Sequence, residues 1–333
     1  MKAYIKDIAY YLPERVVTNE ELVKEFPEWS VEKIANKVGV LERHVAAPDE
    51  TATDMAVTAA ETLFEKGVTQ KTDVDFILFC TQSPDYFLPS SACVIQDRLG
   101  VPTGSGALDF NLGCSGYEYG LALAKGLIMG GVSKNVLLLT SETYNKYLHP
   151  RDKGNRTIFG DGASATIVST EGFAEIGHFN LGTDGSGAKD LIVKTGASRQ
   201  PNKCDDLFFD ESGNPRSSDY LFMDGSEIFM FTLAKVPKMI RAVLAANELQ
   251  KEDIDLYVFH QANKYMLEHL RNKLKIEDEK FFVNIANVGN TVSSTIPIAL
   301  CNARDSYKLK GNVLLAGFGV GLSWGATIIR CNK

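Results

Sequence analysis

The chain has 333 residues, 44% hydrophobic and 23% charged, with a formal net charge of −7. That length buries a substantial core and suggests two domains or two fused halves, while the negative balance excludes nonspecific nucleic-acid binding driven by phosphate attraction. No apolar stretch approaches the roughly 20 residues of a membrane-spanning helix, and the first residues lack the apolar segment of a secretory signal, so a cytoplasmic setting without a membrane partner is expected.

In chain order, the run 73–80 (DVDFILFC) is a short β-branched and aromatic segment bounded by aspartate, which reads as a buried strand. The turn 109–114 (DFNLGC) leads into a helical pattern over Tyr117–Met129, with Leu121, Ala124, Leu127 and Ile128 on one side. Strands are expected again at 134–139 (KNVLLL) and 165–168 (ATIV). Thr195–Ser218 is rich in Gly, Asn, Asp, Ser and Pro and reads as a long excursion, not a linker between independent domains. A second helical pattern, Ser226–Ala246, precedes strands at 253–260 (DIDLYVFH), 311–316 (GNVLLA) and 326–329 (ATII).

These later strands repeat the earlier ones in the same order, at offsets of 180, 177 and 161 residues, and the turn 285–290 (IANVGN) falls opposite 109–114 at an offset of 176. A duplication of alternating strands and helices predicts an α/β fold of two similar βαβ-type halves, 1–170 and 171–333. Cys114 and Asn290 hold equivalent positions in the two turns. About a pseudo-two-fold axis, those turns would converge.

The six cysteines form no CxxC pair and no regular spacing, so neither a zinc site nor a disulfide framework is indicated. Cys114 has a distinct setting, at a strand-to-helix turn between Gly113 and Gly116. Free N–H groups and the helix dipole there would lower its pKa from about 8.5 and favour a thiolate nucleophile; the alternative is a buried, inert cysteine. His260 ends an apolar strand, where sites in α/β sheets gather. Its imidazole could donate to an oxyanion or accept a proton, or it is a structural histidine. His44, His149, His178 and His269 lack such a setting, and no metal-ligand spacing is present. Asn290 could share donation to an enolate oxygen. The Gly-rich run Gly317–Gly325 has no acidic residue at the dinucleotide-binding interval and fits a tight turn presenting N–H groups as an oxyanion hole.

The segments 113–116 (GCSG), 260–263 (HQAN), 289–291 (GNT) and 317–325, with 39–44 (GVLERH), 159–163 (FGDGA) and 222–225 (FMDG), are together similar to the ketoacyl-acyl carrier protein synthase III group of the thiolase superfamily. The resemblance runs from Ile5 to Arg330. It implies a thiolase-like α/β/α/β/α sandwich and a decarboxylating condensation in fatty acid or related acyl biosynthesis. Cys114 would be acylated from acyl-coenzyme A, and His260 and Asn290 would stabilise the enolate formed as malonyl-acyl carrier protein loses carbon dioxide. The carbanion would then attack the Cys114 thioester.

The same resemblance implies an oxyanion hole from the backbone N–H groups of Cys114 and Val320, and coenzyme A contacts from Trp29, Lys37, Lys153, Ser226 and Asn263. Leu88 would border the acyl pocket, and Asp161 would be structural. Coenzyme A thioester enters as substrate, with no other cofactor; acyl carrier protein is the implied partner, and a homodimer is expected, with sheet strands or the 81–89 loop at its interface. Several positions depart from the pattern. Lys37 and Lys153 stand where arginine is usual, Leu88 where a larger aromatic is common, and Lys264-Tyr265 follows HQAN where an arginine often docks the carrier protein. The departures leave room for two alternatives: acyl transfer to an oxygen or nitrogen acceptor in a glycan or secondary-metabolite pathway, and a non-catalytic partner subunit.

Overall fold

The computed structural model describes residues 2–211 and 213–331. Ten strands make its main sheet: β1 (Tyr4–Tyr11), β2 (Phe76–Cys80), β3 (Gly106–Phe110), β4 (Asn135–Glu142), β5 (Gly162–Ser169), β6 (Ala174–Thr183), β7 (Leu256–Phe259), β8 (Phe281–Phe282), β9 (Gly311–Gly319) and β10 (Ser323–Cys331). Six principal helices alternate with them: α1 (Ala52–Glu65), α2 (Ser91–Leu99), α3 (Gly116–Met129), α4 (Gly225–Ala246), α5 (Lys264–Leu274) and α6 (Thr295–Asp305). The order β-α-β-α-β-α-β-β therefore occurs twice.

Across the sheet the strands run β3-β2-β4-β5-β1-β6-β10-β9-β7-β8. Each strand of the first five has its counterpart, five numbers on, at the mirrored position. In both halves the pairing repeats: β2 is parallel to β3 and β4, as β7 is to β8 and β9. β5 is antiparallel to β4 and β1, as β10 is to β9 and β6. The halves join where Tyr4 and Ile5 pair with Glu175 and Ala174.

The repeated sequence pattern has a hydrogen-bonding cause. The Asp75 carboxylate accepts the N–H of Asn135, whose side-chain amide donates to the Asp73 carbonyl at 3.0 Å. In the second half Asp255 accepts the N–H of Asn312, and the Asn312 amide donates to the Asp253 carbonyl at 2.9 Å. An Asp-x-Asp before one strand and an Asn opening its parallel neighbour thus satisfy the same backbone groups twice.

α1 packs on β1, β4 and β5, and α2 on β2 and β3, covering one face of the first half; α4 lies on β6, β9 and β10 of the second. α3 and α6 are sandwiched in the middle, α3 touching strands of both halves. This gives the five layers of the thiolase-like sandwich. α1 begins in a capping box between Thr51 and Asp54 and buries Ala52, Ala56, Ala59 and Ala60, small residues that let it lie close on the sheet. α3 buries Tyr117, Leu121, Ala124 and Ile128, so a helix apolar nearly all round occupies the centre. Among the described residues, no helix is long and apolar enough to cross a membrane.

Candidate active site

β3 ends at Phe110, and the chain turns through Asn111–Ser115 before α3 begins at Gly116. The N–H of Gly116 donates to the Gly113 carbonyl at 2.7 Å, closing the turn that carries Cys114. The hairpin between β9 and β10 lies directly on this turn. A methyl group added at Gly319 would stand 2.9 Å from Cys114 Cβ and Sγ, and one at Gly113 would stand 2.5 Å from Val320 Cγ1. Glycine is required at both places by close approach. The backbone N–H groups of Val320 and of Cys114 itself favour the thiolate.

The thiol itself departs from the expectation of a lowered pKa. Cys114 is 7% exposed, and burial pushes its thiol up to about 12, with the nearby Glu142 carboxyl adding to the rise. The two N–H groups pull downward and do not prevail. The reason is one of scale: a helix end supplies about half a unit charge, whereas removing a thiolate from water costs more than that partial charge returns.

Two buried carboxyls near the sulfur carry no signal in the sequence. Glu142, the last residue of β4, accepts the N–H of Gln82 with both oxygens at 3.0 Å and the hydroxyls of Ser83 and Ser293 at 3.1 and 3.4 Å. Glu118 lies one helical turn beyond Cys114, fully buried, and neither of its oxygens has a hydrogen-bond partner. Burial holds both carboxyls well above the usual carboxylate range. For Glu118, where burial outweighs the pull of its own backbone N–H, the neutral acid is the form that fits.

His260 and Asn290 come from the second half. His260 follows β7, its N–H donating to the Ala316 carbonyl of β9 at 2.9 Å. Its Nδ1 lies 2.7 Å from Thr295 Oγ1, at the start of α6. Burial pushes the imidazole down to about 3, so it is neutral, with the Val292 carbonyl pulling weakly the other way. Asn290 Oδ1 accepts the N–H of Val292 at 2.9 Å and its Nδ2 donates to the Ala262 carbonyl at 3.3 Å, leaving one amide hydrogen to donate. Val292 adopts φ +56°, a conformation rare for a β-branched residue and associated with functional turns; it aims the N–H that fixes the Asn290 amide. Val292 also packs 3.3 Å from the position of a methyl on Gly113, and Ser293 3.5 Å from one on Gly116. The turns opening α3 and α6 therefore touch.

Asp161 is buried and structural. It accepts the N–H of Ala46 at 2.9 Å and both the backbone N–H and the side-chain amide of Asn145 at 3.1 Å, with burial raising it to about 6.

The residues expected at coenzyme A fall partly together. Lys37 Nζ lies 5.9 Å from the Trp29 ring centroid and Lys33 Nζ, an additional cation, 4.9 Å. Lys153 bonds Glu28, next to Trp29, at 2.9 Å. Trp29, Lys33, Lys37 and Lys153 thus form one patch. Ser226 is exposed in the first turn of α4, and Asn263 caps α5, its Oδ1 accepting the N–H of Met266 at 2.8 Å. Leu88 is not part of this cluster or of the wall around Cys114: with Phe87 it stands on the surface, 83% and 84% exposed.

A nucleophile turn from one half, pressed against a histidine and an asparagine from the other in a duplicated five-layer sandwich, defines the thiolase-like class of acyl-transferring enzymes. Family comparisons refine this. Residues 108–185 match the model for 3-oxoacyl-[acyl-carrier-protein] synthase III, and residues 244–331 match the model for its C-terminal part; the first stretch holds Cys114, the second His260 and Asn290. A beta-ketoacyl-[acyl-carrier-protein] synthase III of Clostridium perfringens is 37% identical over 323 residues, 96% of each chain. A crystal structure of a 3-oxoacyl-(acyl-carrier-protein) synthase III superposes with TM-score 0.97 at 51% identity, covering 99% of this chain and 100% of the other. A 3-oxoacyl-(acyl-carrier protein) synthase from Burkholderia xenovorans LB400 does so with TM-score 0.91 at 35% identity, covering 100% and 95%. The chain belongs to the 3-oxoacyl-[acyl-carrier-protein] synthase III family. It is an acyltransferase of fatty acid biosynthesis that performs a Claisen condensation, and this is favoured over transfer to oxygen or nitrogen acceptors and over a non-catalytic subunit.

Proposed function

We propose that the enzyme condenses an acyl-coenzyme A primer with malonyl-acyl carrier protein through an acyl group held on Cys114. In the first step the Cys114 sulfur attacks the thioester carbonyl, its proton leaves with the coenzyme A thiol, and the oxyanion sits between the N–H groups of Cys114 and Val320. In the second, the malonyl carboxylate departs as carbon dioxide. The resulting enolate oxygen is held by the Asn290 amide and by His260 Nε2, and the enolate carbon attacks the Cys114 thioester. The carbon–sulfur bond breaks, and the sulfur takes up a proton from water. The Thr295 hydroxyl lies 2.7 Å from His260 Nδ1 and 3.0 Å from the Val292 carbonyl; for His260 to donate from Nε2, the one Thr295 hydrogen turns from that carbonyl to Nδ1.

The supporting observation is a nucleophile turn, favoured towards thiolate by two backbone N–H groups, packed against the Val292–Ser293 turn that fixes the Asn290 amide beside the neutral imidazole's Thr295 partner. Trp29, Lys37 and Lys153, with Lys33, would take the nucleotide end of coenzyme A, and Ser226 and Asn263 its pantetheine arm. No further cofactor enters this reaction. We place the enzyme in the cytoplasm as a homodimer of chains whose halves divide near residue 170. The dimer is supported by the outermost strand β3, where Leu108 is exposed, and by the nearby loop of Phe87 and Leu88. In that assembly Leu88 would border an acyl pocket only across the subunit contact.

Incubation with acyl-coenzyme A thioesters followed by intact-protein mass spectrometry tests the reading. A Cys114 adduct is expected in the wild type and none in Cys114→Ala. His260→Ala is expected to acylate yet release labelled carbon dioxide from malonyl-acyl carrier protein at only a small residual rate. Complete loss of acylation in His260→Ala would overturn its assignment to the second step.

A further inference from the structure

Two buried serine hydroxyls stand between the nucleophile turn and the hairpin that carries Val320, and the condensation gives them no part. Ser115 follows Cys114 directly and is wholly buried; Ser323, the first residue of β10, is 2% exposed. Their Oγ atoms lie 2.5 Å apart, and Ser323 Oγ donates to the Val320 carbonyl at 3.1 Å. A hydroxyl has one hydrogen. With that of Ser323 committed to the carbonyl, Ser115 is the donor within the pair. The result is a directed chain, from Ser115 to Ser323 to Val320, joining the neighbour of the nucleophile in one half to the hairpin tip of the other. The chain holds Val320 from a side that the sheet does not. Gly319 and Ser323 form the last pair of the β9–β10 ladder, which fixes the main chain before Val320; the hydroxyl fixes the carbonyl after it. The outer flank of the tip is fastened separately, where Leu322 and Asp184 exchange backbone hydrogen bonds of 3.0 and 2.8 Å. Loss of a serine hydroxyl therefore leaves the hairpin standing and frees chiefly the Val320 main chain.

We infer that Ser115 and Ser323 are positioning residues that set the Val320 N–H against the Cys114 N–H, the two donors to the acyl oxyanion. The inference rests on the acyl-enzyme reading above. Those donors come from different halves of the molecule, so their spacing depends on contacts that cross between the halves. Glycine at 319 lets the hairpin lie close on Cys114, but close packing alone allows a peptide to tilt about the contact. A hydrogen-bonded chain gives it a direction. The requirement is strict: an oxyanion donor acts at about 2.7–3.1 Å, and a misplacement of about 1 Å costs on the order of 100-fold in rate.

The test compares two reactions of the Cys114 sulfur in the wild type, Ser115→Ala, Ser323→Ala, the double variant and Ser323→Thr. Acylation, by acetyl- or hexanoyl-coenzyme A, whichever loads the wild type faster, passes through an oxyanion. Alkylation by iodoacetamide does not, yet it needs the same thiolate and the same access. In each alanine variant the acylation rate constant is expected to fall at least about tenfold more than the alkylation rate. KM for the thioester should stay unchanged and the circular dichroism spectrum native. Ser115→Ala changes no residue of the hairpin and so guards against a folding defect in Ser323→Ala. The double variant is expected to match the single ones, because either change cuts the same chain. Ser323→Thr keeps the hydroxyl and should acylate close to wild type. Equal losses in the two reactions, no loss in either alanine variant, losses that multiply in the double variant, or a threonine variant as slow as Ser323→Ala would each overturn the inference. Absence of a Cys114 adduct in the wild type with both thioesters would instead overturn the acyl-enzyme reading on which it depends.

Discussion

The raised pKa of the Cys114 thiol makes a quantitative prediction about the free enzyme. With the thiol pushed up to about 12, only about one molecule in 10⁴ carries a thiolate at pH 8, against about a quarter for a free cysteine near 8.5. Alkylation at Cys114 should therefore be slower than that of a free thiol by a factor on the order of 10³. Shielding by the protein also slows alkylation, but by a factor independent of pH. The slope separates the two: a raised pKa makes the rate climb about tenfold per pH unit up to pH 10, with no plateau. Iodoacetamide labelling followed peptide by peptide by mass spectrometry measures this, with the exposed Cys93 and Cys204 reporting accessibility in the same sample. Glu142→Gln removes the second cause of the rise and should increase the Cys114 rate at any given pH. A plateau at Cys114 below about pH 8 would refute the reasoning and restore the helix-end thiolate.

Gly319→Ala places a methyl 2.9 Å from Cys114 Sγ, and acyl-enzyme formation should fall about 100-fold while the circular dichroism spectrum stays native. His260 has its folded pKa depressed to about 3, so its contribution to stability is present above about pH 6.5 and lost as pH falls from there toward 3. At pH 5 the loss is about 2 kcal/mol, and urea unfolding of His260→Gln should show an acid loss smaller by that amount; an identical acid loss would place the sensitivity elsewhere. Glu118→Leu removes two buried oxygens that lack partners and should raise stability by about 1–3 kcal/mol in the same assay. A decrease would mean that the carboxyl does have a partner.

The duplication was legible because its cause is local. The Asp-x-Asp and Asn residues at 73–75 and 135, repeated at 253–255 and 312, are needed wherever a strand of this arrangement begins. The turn at Cys114 could likewise be read from glycine spacing, because side chains packed on the turn leave room only for glycine at 113 and 116. What could not be read was set by burial. Glu118 and Glu142 look like surface acids in sequence, and only the packing of α3 and the end of β4 into the centre buries them and holds their carboxyls above the usual range. The direction of the Cys114 shift failed for the same reason: the helix end is a sequence-level feature, and the desolvation that outweighs it is not. The Tyr144 hydroxyl donates to the Gln82 side chain across 62 residues of chain, and no periodicity brings them together. Leu88 was assigned by likeness to a pocket that, within one chain, it does not reach.

The contact between the turns opening α3 and α6 sets a floor under the effect of any side-chain substitution. Two helices start at one spot, each with about half a positive charge at that end. The electric field there is written into the peptide backbone, and exchanging His260 or Asn290 leaves it standing. Variants lacking either side chain should therefore retain a measurable rate above the uncatalysed reaction. Abolishing that remainder would require bending the main chain itself, at the point where the two copies of an old repeat lean on each other.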